Sequence, residues 1–265
     1  MDKKSSKMSG MSAIAAFGSI VVALVVGIVV WKFVLGNGSN FDAEMHPKNG
    51  SILGMMYKGG FIVPILIAIF IIIATFSIER LITIMRASGK GNAADFIRSI
   101  KSNLAGNQLD EAISACDKQQ GSLANVIRAG IDKLKNVQGD PNMDKETKVA
   151  AVHKELEEAT SLELPMLSKN LVVISTCATI ATLWGLIGTV IGMIRSFAAL
   201  SQAGAPDTTA LATGISEALI NTALGIVSSV IGIIMYNVFS SKIDSLTYSM
   251  DEAGFSIVQS ISAHK

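Results

Sequence analysis

The sequence predicts an all-α, polytopic membrane protein with four transmembrane helices, a cytoplasmic helical domain, and two long helices extending through the membrane. Three observations carry this. Mean hydropathy is +0.49 and hydrophobic content 50% over 265 residues, more than an ordinary soluble domain carries. Residues 171–241 hold only three charges, Arg195, Asp207 and Glu217. Residues 79–169, by contrast, hold 13 basic and 13 acidic side chains among 91 residues.

In chain order, residues 1–11 form a cytoplasmic tail with Lys3, Lys4 and Lys7. Residues 12–35 read as a retained transmembrane helix. A signal-peptide core is only ~7–15 residues long and needs a small-residue cleavage site, for which Val34-Leu35-Gly36-Asn37 is poor. Residues 36–60 are Gly/Asn-rich, contain Pro47 and show no apolar period, so they read as a periplasmic loop. Residues 61–78 are an uncharged second span, with Pro64 in its first turn where a missing N–H does no harm. Many isoleucines and few small residues predict a lipid-facing helix.

Residues 79–170 form the cytoplasmic domain. Helical spacing recurs in 95–104, 109–118 and 122–136, as in Leu123, Val126, Ile127 and Ile131. Gly106-Asn107, Gln120-Gly121 and Gly139-Asp140-Pro141 punctuate these runs. From Asp144 onward the only breaker before the next apolar arm is Pro165, which predicts one long helix entering the membrane with a kink near that proline.

The third span covers 171–201, a periplasmic turn 202–207, the fourth span 208–241, and a C-tail 242–265 that reads as a polar helix or a frayed end. Residues 171–194 are uncharged and 208–241 carry one charge, and ~20 apolar residues suffice to cross the hydrocarbon. Four spans place both termini on one face. Lys3, Lys4, Lys7, Arg80, Arg86, Lys90, Lys169 and Lys242 then share it, and the positive-inside rule makes it cytoplasmic.

Glu217 is the focal residue. With Asp207 as N-cap, it lies ~15 Å into the last span, about the middle of a ~30 Å core. An acid at that depth costs ~2.5–3.5 kcal/mol and faces protein or water. Gly214, Asn221, Gly225, Ser228 and Gly232 share its helical stripe; Ala178, Thr182, Gly185, Thr189, Gly192 and Ser196 form the matching stripe on the other arm. With Gly188, the glycines and Asn221 are the expected pore-face packing residues. Thr189 and Glu217 are equidistant from Ala203, which predicts a hydroxyl beside an acid. The plainer readings are a structural carboxyl reaching the interface, and threonines bonded to their own helix carbonyls.

Other functions find little support. A net charge of +1 with no basic stripe argues against nucleic acid. Cys116 and Cys177 lack the pairing of a disulfide framework and the spacing of a zinc site, and read as packed thiols. His46, His153 and His264 are scattered, and no triad, P-loop or HExxH motif is present. Neither an enzyme, a cofactor nor a metal is expected.

The runs Gly185-Leu186-Ile187-Gly188-Thr189-Val190-Ile191-Gly192 and Gly214-Ile215-Ser216-Glu217-Ala218-Leu219-Ile220-Asn221-Thr222-Ala223-Leu224-Gly225, with Tyr236-Asn237, resemble the signature of the ExbB/TolQ proton-channel family, distantly related to flagellar MotA. The resemblance covers roughly 120–242 well, the second span and early cytoplasmic helices loosely, and the first span not at all. It implies an inner-membrane homopentamer around an ExbD/TolR-like partner whose single transmembrane helix carries an Asp. Proton flow would drive a TonB-like or TolA-like transducer. Glu217, Thr189 and Thr222 would line the proton pathway, with Glu217 reversibly protonated. Thr182 and Ile231 stand where the family often has prolines, and the first span is additional to the usual three. A TolQ- or MotA-like stator is the nearest alternative, and a non-conducting membrane scaffold the alternative of another class.

Overall fold

The computed structural model describes residues 13–42, 46–48, 51–202 and 208–263. Lys3, Lys4 and Lys7, the turn residues 203–207 with Asp207, and His264 lie outside the described residues. Within them the chain is helical apart from turns and one isolated bridge, Phe41 with Pro47. Four stretches are long and apolar enough to cross a membrane: Phe17–Leu35, Ile62–Ala87, Lys145–Ala198 and Leu211–Ile261. The chain divides into two compact units.

One unit comprises Met11–Ile78 and Asn170–Asn237. It begins with α1 (Ala13–Val29), which passes into a π-helical turn, Val30–Leu35. Trp31 stacks on Tyr57 at 4.8 Å and donates through Nε1 to the Tyr57 carbonyl at 3.2 Å, while Phe41 meets the same ring edge-on. Those contacts order the segment predicted as an irregular loop. It contains a short helix, α2 (Ile52–Lys58), whose first turn is capped by Ser51 accepting from the Gly54 N–H. The sequence missed α2 because a two-turn helix fixed by an aromatic cluster need show no apolar period of its own.

The next helix, α3, is longer than the predicted span: it runs Ile62–Ala87, passing the charges at Glu79 and Arg80. It is also not chiefly lipid-facing. Ile62, Val63, Leu66, Ala68, Ile69, Ile72, Ile73 and Phe76 are buried, leaving Phe61, Phe70 and Ile78 among the exposed large apolar residues. The isoleucines fill space between small-residue surfaces: a Cβ on Gly27 of α1 would press on the Pro64 carbonyl at 2.5 Å, and one on Gly232 would meet Ile73 Cδ1 at 3.3 Å.

The hairpin arms are α8 (Leu171–Gln202) and α9 (Thr208–Ala263), unbroken through Thr182 and Ile231 where prolines are missing. They meet along a seam of small residues. A Cβ on Gly232 would sit 2.8 Å from Ala178 Cβ, one on Gly225 2.5 Å from the Ala181 carbonyl and 3.0 Å from Gly185 Cα, and one on Gly188 2.5 Å from Asn221 Cβ. Gly192 faces Ala218, and Gly214 faces Ser196, closer still. Without a solvent-driven hydrophobic effect in lipid, close backbone approach of this kind supplies the dispersion contact that holds membrane helices together.

The other unit comprises Glu79–Lys169 and Val238–Lys265. Its helices are α4 (Ala93–Ala105), α5 (Leu109–Gln119), α6 (Gly121–Gln138), α7 (Lys145–Ser168) and the last turns of α9. Phe96, Ile97, Ile100, Leu123, Ile127, Ile131, Val152 and Leu156 form its core, joined by Ile243, Leu246, Met250, Ala253 and Ile257 of α9. That last stripe repeats at three and four residues, so the C-terminal segment is a packed helix and not a frayed end. A Cβ on Gly130 would lie 2.5 Å from Leu156 Cδ2, which marks the tight α6–α7 crossing.

The single helix predicted to run on from Asp144 is interrupted. Pro165 stays inside α7, and the break comes at Lys169 (ψ 139°) and Asn170 (φ 66°), before α8 starts at Leu171. Asn tolerates the left-handed region that other L side chains avoid, so it can end one helix and start the next where Pro165 only removes one donor.

Candidate functional site

Glu217 sits on α9 and lines a cavity of about 80 Å³. Asn221, Ser196 and Arg195 from the hairpin border it, and the α2–α3 junction contributes Lys58, Gly59 and Ile62. The junction is positioned by Asn221, whose Nδ2 donates to the Gly59 carbonyl at 3.1 Å. Arg195 lies 5.8 Å over the Phe61 ring. A carboxylate therefore shares one polar recess with two cations, in a unit otherwise built from apolar helices.

The recess lies nearer one end of the span than the sequence suggested. Gly192 faces Ala218 and Gly188 faces Asn221, so Glu217 is level with Met193, at the end of the uncharged stretch 171–194. Its α3 neighbour is Ile62, the first residue of that helix. The symmetric estimate centred the hairpin on Ala203, whereas the observed pairs centre about two residues later. That offset moves Glu217 toward the polar end and Thr189 deeper.

For the same reason Thr189 is not beside the acid. Its hydroxyl pairs with that of Thr222. Both hydroxyl oxygens also lie 3.2 Å from the Gly185 carbonyl, Thr189 Oγ1 on its own helix and Thr222 Oγ1 across the seam. With one proton each, one hydroxyl donates to the carbonyl and the other to the carbonyl or to its neighbour. Both threonines are half-buried. The structure thus brings Thr189, Thr222 and Gly185 together and sets Glu217 with Asn221 and Ser196, about one turn away along α9. Gly185, Gly188, Gly192, Gly214 and Gly225 lie in the seam between the arms.

Sequence reasoning missed Lys58 and Gly59. The Lys58-Gly59-Gly60 run was the available signal: a charge and two glycines at the mouth of an apolar helix, with Gly60 in the left-handed region at φ 78°. Outside the hairpin, the sequence-singled Cys116 is buried among α5 and α6 side chains, and desolvation pushes its thiol up to about 12.

Residues 118–252, just over half of the chain, match the MotA/TolQ/ExbB proton channel family. The chain belongs to that family. Among ExbB/TolQ relatives, an ExbB-like 3 protein of Synechocystis sp. is 39% identical over 88 residues, covering 32% of this chain and 42% of its own. TolQ of Pseudomonas aeruginosa is 31% identical over 121 residues, covering 46% and 52%, and ExbB of Pseudomonas putida 29% over 155 residues, covering 58% and 46%. The chain spans about half the length of these relatives. Membership in a proton channel family and four long apolar helices together make this a multi-pass membrane protein.

Proposed function

We propose that this chain is the proton-channel subunit of an inner-membrane motor, with Glu217 as its reversibly protonated acid. The observation that carries the reading is the Glu217 recess: a carboxylate kept in an apolar helical unit, where an ionisable group with no function is costly. Thr189 and Thr222 form a second polar station, two hydroxyls on one carbonyl. They can hydrogen-bond a partner's acid as it takes or loses a proton. Among the described residues the recess offers one carboxyl per subunit, so flux calls for an acid from elsewhere, and an ExbD/TolR-like single-span helix with an Asp at the centre of a pentameric ring would supply it. Both termini and the charged helical unit are then cytoplasmic, by the lysine and arginine distribution.

The ExbB-like version, coupled to a TonB-like transducer, is the reading we adopt. A TolQ-like role is the second, favoured by the 31% identity to the Pseudomonas aeruginosa TolQ. The test is Glu217→Gln in a reconstituted complex with the partner, followed by proton uptake into liposomes. The amide keeps size and polarity but cannot release a proton, so uptake falls to background while assembly is retained. Undiminished uptake would remove Glu217 from the proton pathway, whereas a wild-type complex with no uptake above background would leave the non-conducting scaffold as the better description.

A further inference from the structure

Asn221 is 2% exposed, and its two amide atoms are treated unequally. Nδ2 donates to Gly59, while Oδ1 is buried with no hydrogen-bond partner in the protein. Turning the amide over offers no relief, because Oδ1 would then face the Gly59 carbonyl, acceptor against acceptor. A buried acceptor in this state calls for a donor from outside the chain.

The same side chain borders the cavity of about 80 Å³ that Glu217 lines. One water needs only ~10–15 Å³ and two to four polar partners, and Asn221, Glu217 and Lys58, all on the wall, are the polar side chains available to it. We infer that this cavity is a water-binding chamber internal to one subunit, in which ordered water donates to Asn221 Oδ1 and links it to Glu217. Lys58 and Arg195 on the wall disfavour a metal cation there, and the missing element at Oδ1 is a donor, so the ligand is neutral water. Neither Thr189 nor Thr222 lines the chamber. It therefore gives Glu217 a hydrated side separate from the threonine station, and resting on the proton-channel reading, that side is where Glu217 exchanges its proton.

Hydration is measured without reading any flux. In the full chain in lipid bilayers, magic-angle-spinning NMR follows magnetisation passing from water protons to the Asn221 amide and the Glu217 carboxyl, with buried Ile73 as the dry reference. In wild type both build up several-fold faster than Ile73. In Asn221→Leu, which fills the recess and removes the acceptor, Glu217 build-up slows several-fold. A wild-type Asn221 as slow as Ile73 overturns the inference, and needs no variant to fold. So does a Glu217 build-up unchanged in a folded Asn221→Leu. A wet Asn221 in a protein whose Glu217→Gln form still conducts upholds the chamber and overturns only the role of Glu217 as the exchanging acid.

Discussion

Arg80 Nη1 donates to the carbonyl of Leu167 at 3.2 Å, and to that of Met166 at the same distance. Its remaining donors grip the neighbouring Glu79 carboxylate, and the side chain is 0% exposed. The last carbonyls of a helix have no partner within it and carry its negative end. A buried guanidinium thus closes α7 two residues before the Lys169–Asn170 break.

Replacing Arg80 by Met should therefore be expensive, because the Glu79 carboxylate loses a two-pronged guanidinium contact and two carbonyls lose a donor. Breaking a buried pair from one side costs ~3–5 kcal/mol. Denaturant titration in mild detergent should show a loss of that order. Arg80→Lys should recover only part of it, since an ammonium cannot serve carboxylate and carbonyls as a planar fork does. Wild-type stability in Arg80→Met would mean that the capping contributes nothing.

Along the hairpin seam, Gly192→Val and Gly188→Val should each destabilise the pairing of α8 with α9. The first added Cβ meets Ala218 and the second Asn221 Cβ at 2.5 Å. Overpacking of this kind costs ~1–3 kcal/mol. Leu183→Val, at an exposed position on the same helix, is the control and should leave SDS-induced unfolding unchanged.

Asp144 caps α7 by accepting from the Thr147 N–H at 2.8 Å, and hydrogen bonding from the Thr147 side chain, then from that N–H, holds its carboxyl below the usual carboxylate range. A depressed carboxylate stabilises the folded state above the unfolded pKa. The contribution is then lost as pH falls through the folded value. Protection of the Thr147 amide against hydrogen exchange, taken relative to its intrinsic rate at each pH, should accordingly fall when pH drops below the ordinary carboxylate range. Asp144→Asn, which retains a capping oxygen but cannot titrate, should remove that pH dependence.

Cys116 should resist alkylation at neutral pH, because burial keeps its thiol protonated up to about 12. The sign of the linkage is the reverse of that at Asp144. An unfolded thiol ionises near 8.5 while the folded one does not, so stability should decline as pH rises from there toward 12. Rapid labelling of Cys116 in the folded protein at pH 7 would contradict the packing of α5 on α6.

How much of this was legible in the sequence depends on range. The four apolar stretches, the helical charged block and the small-residue stripes followed from period and composition, because those are local. The α8–α9 register did not, since Thr189 and Glu217 look symmetric about Ala203 until backbone contacts at Gly188 and Gly192 set the offset. Gly59, and with it Lys58, joined the site through a hydrogen bond from the Asn221 side-chain amide spanning 162 residues, which no window on the sequence samples. The burial of the isoleucine-rich α3 was misjudged for a related reason: lipid and protein interior are equally apolar, so composition does not separate them. The Lys169–Asn170 break was written in one residue, Asn170, whose tolerance of positive φ outranked the more conspicuous Pro165.

The seam of glycine and alanine has an entropic side. Gly and Ala have no side-chain rotamers to freeze, whereas each Ile or Leu locked in a core gives up ~0.5–1 kcal/mol of side-chain freedom. Once α8 and α9 are helical in the bilayer, bringing them together therefore orders almost nothing further along Gly185, Gly188, Gly192, Gly225 and Gly232. Docking α3 is different, because Leu66, Ile69, Ile72, Ile73 and Phe76 must all settle into fixed rotamers. The side-chain ordering cost of the membrane unit therefore falls mainly on the docking of α3 and very little on the glycine seam of the hairpin.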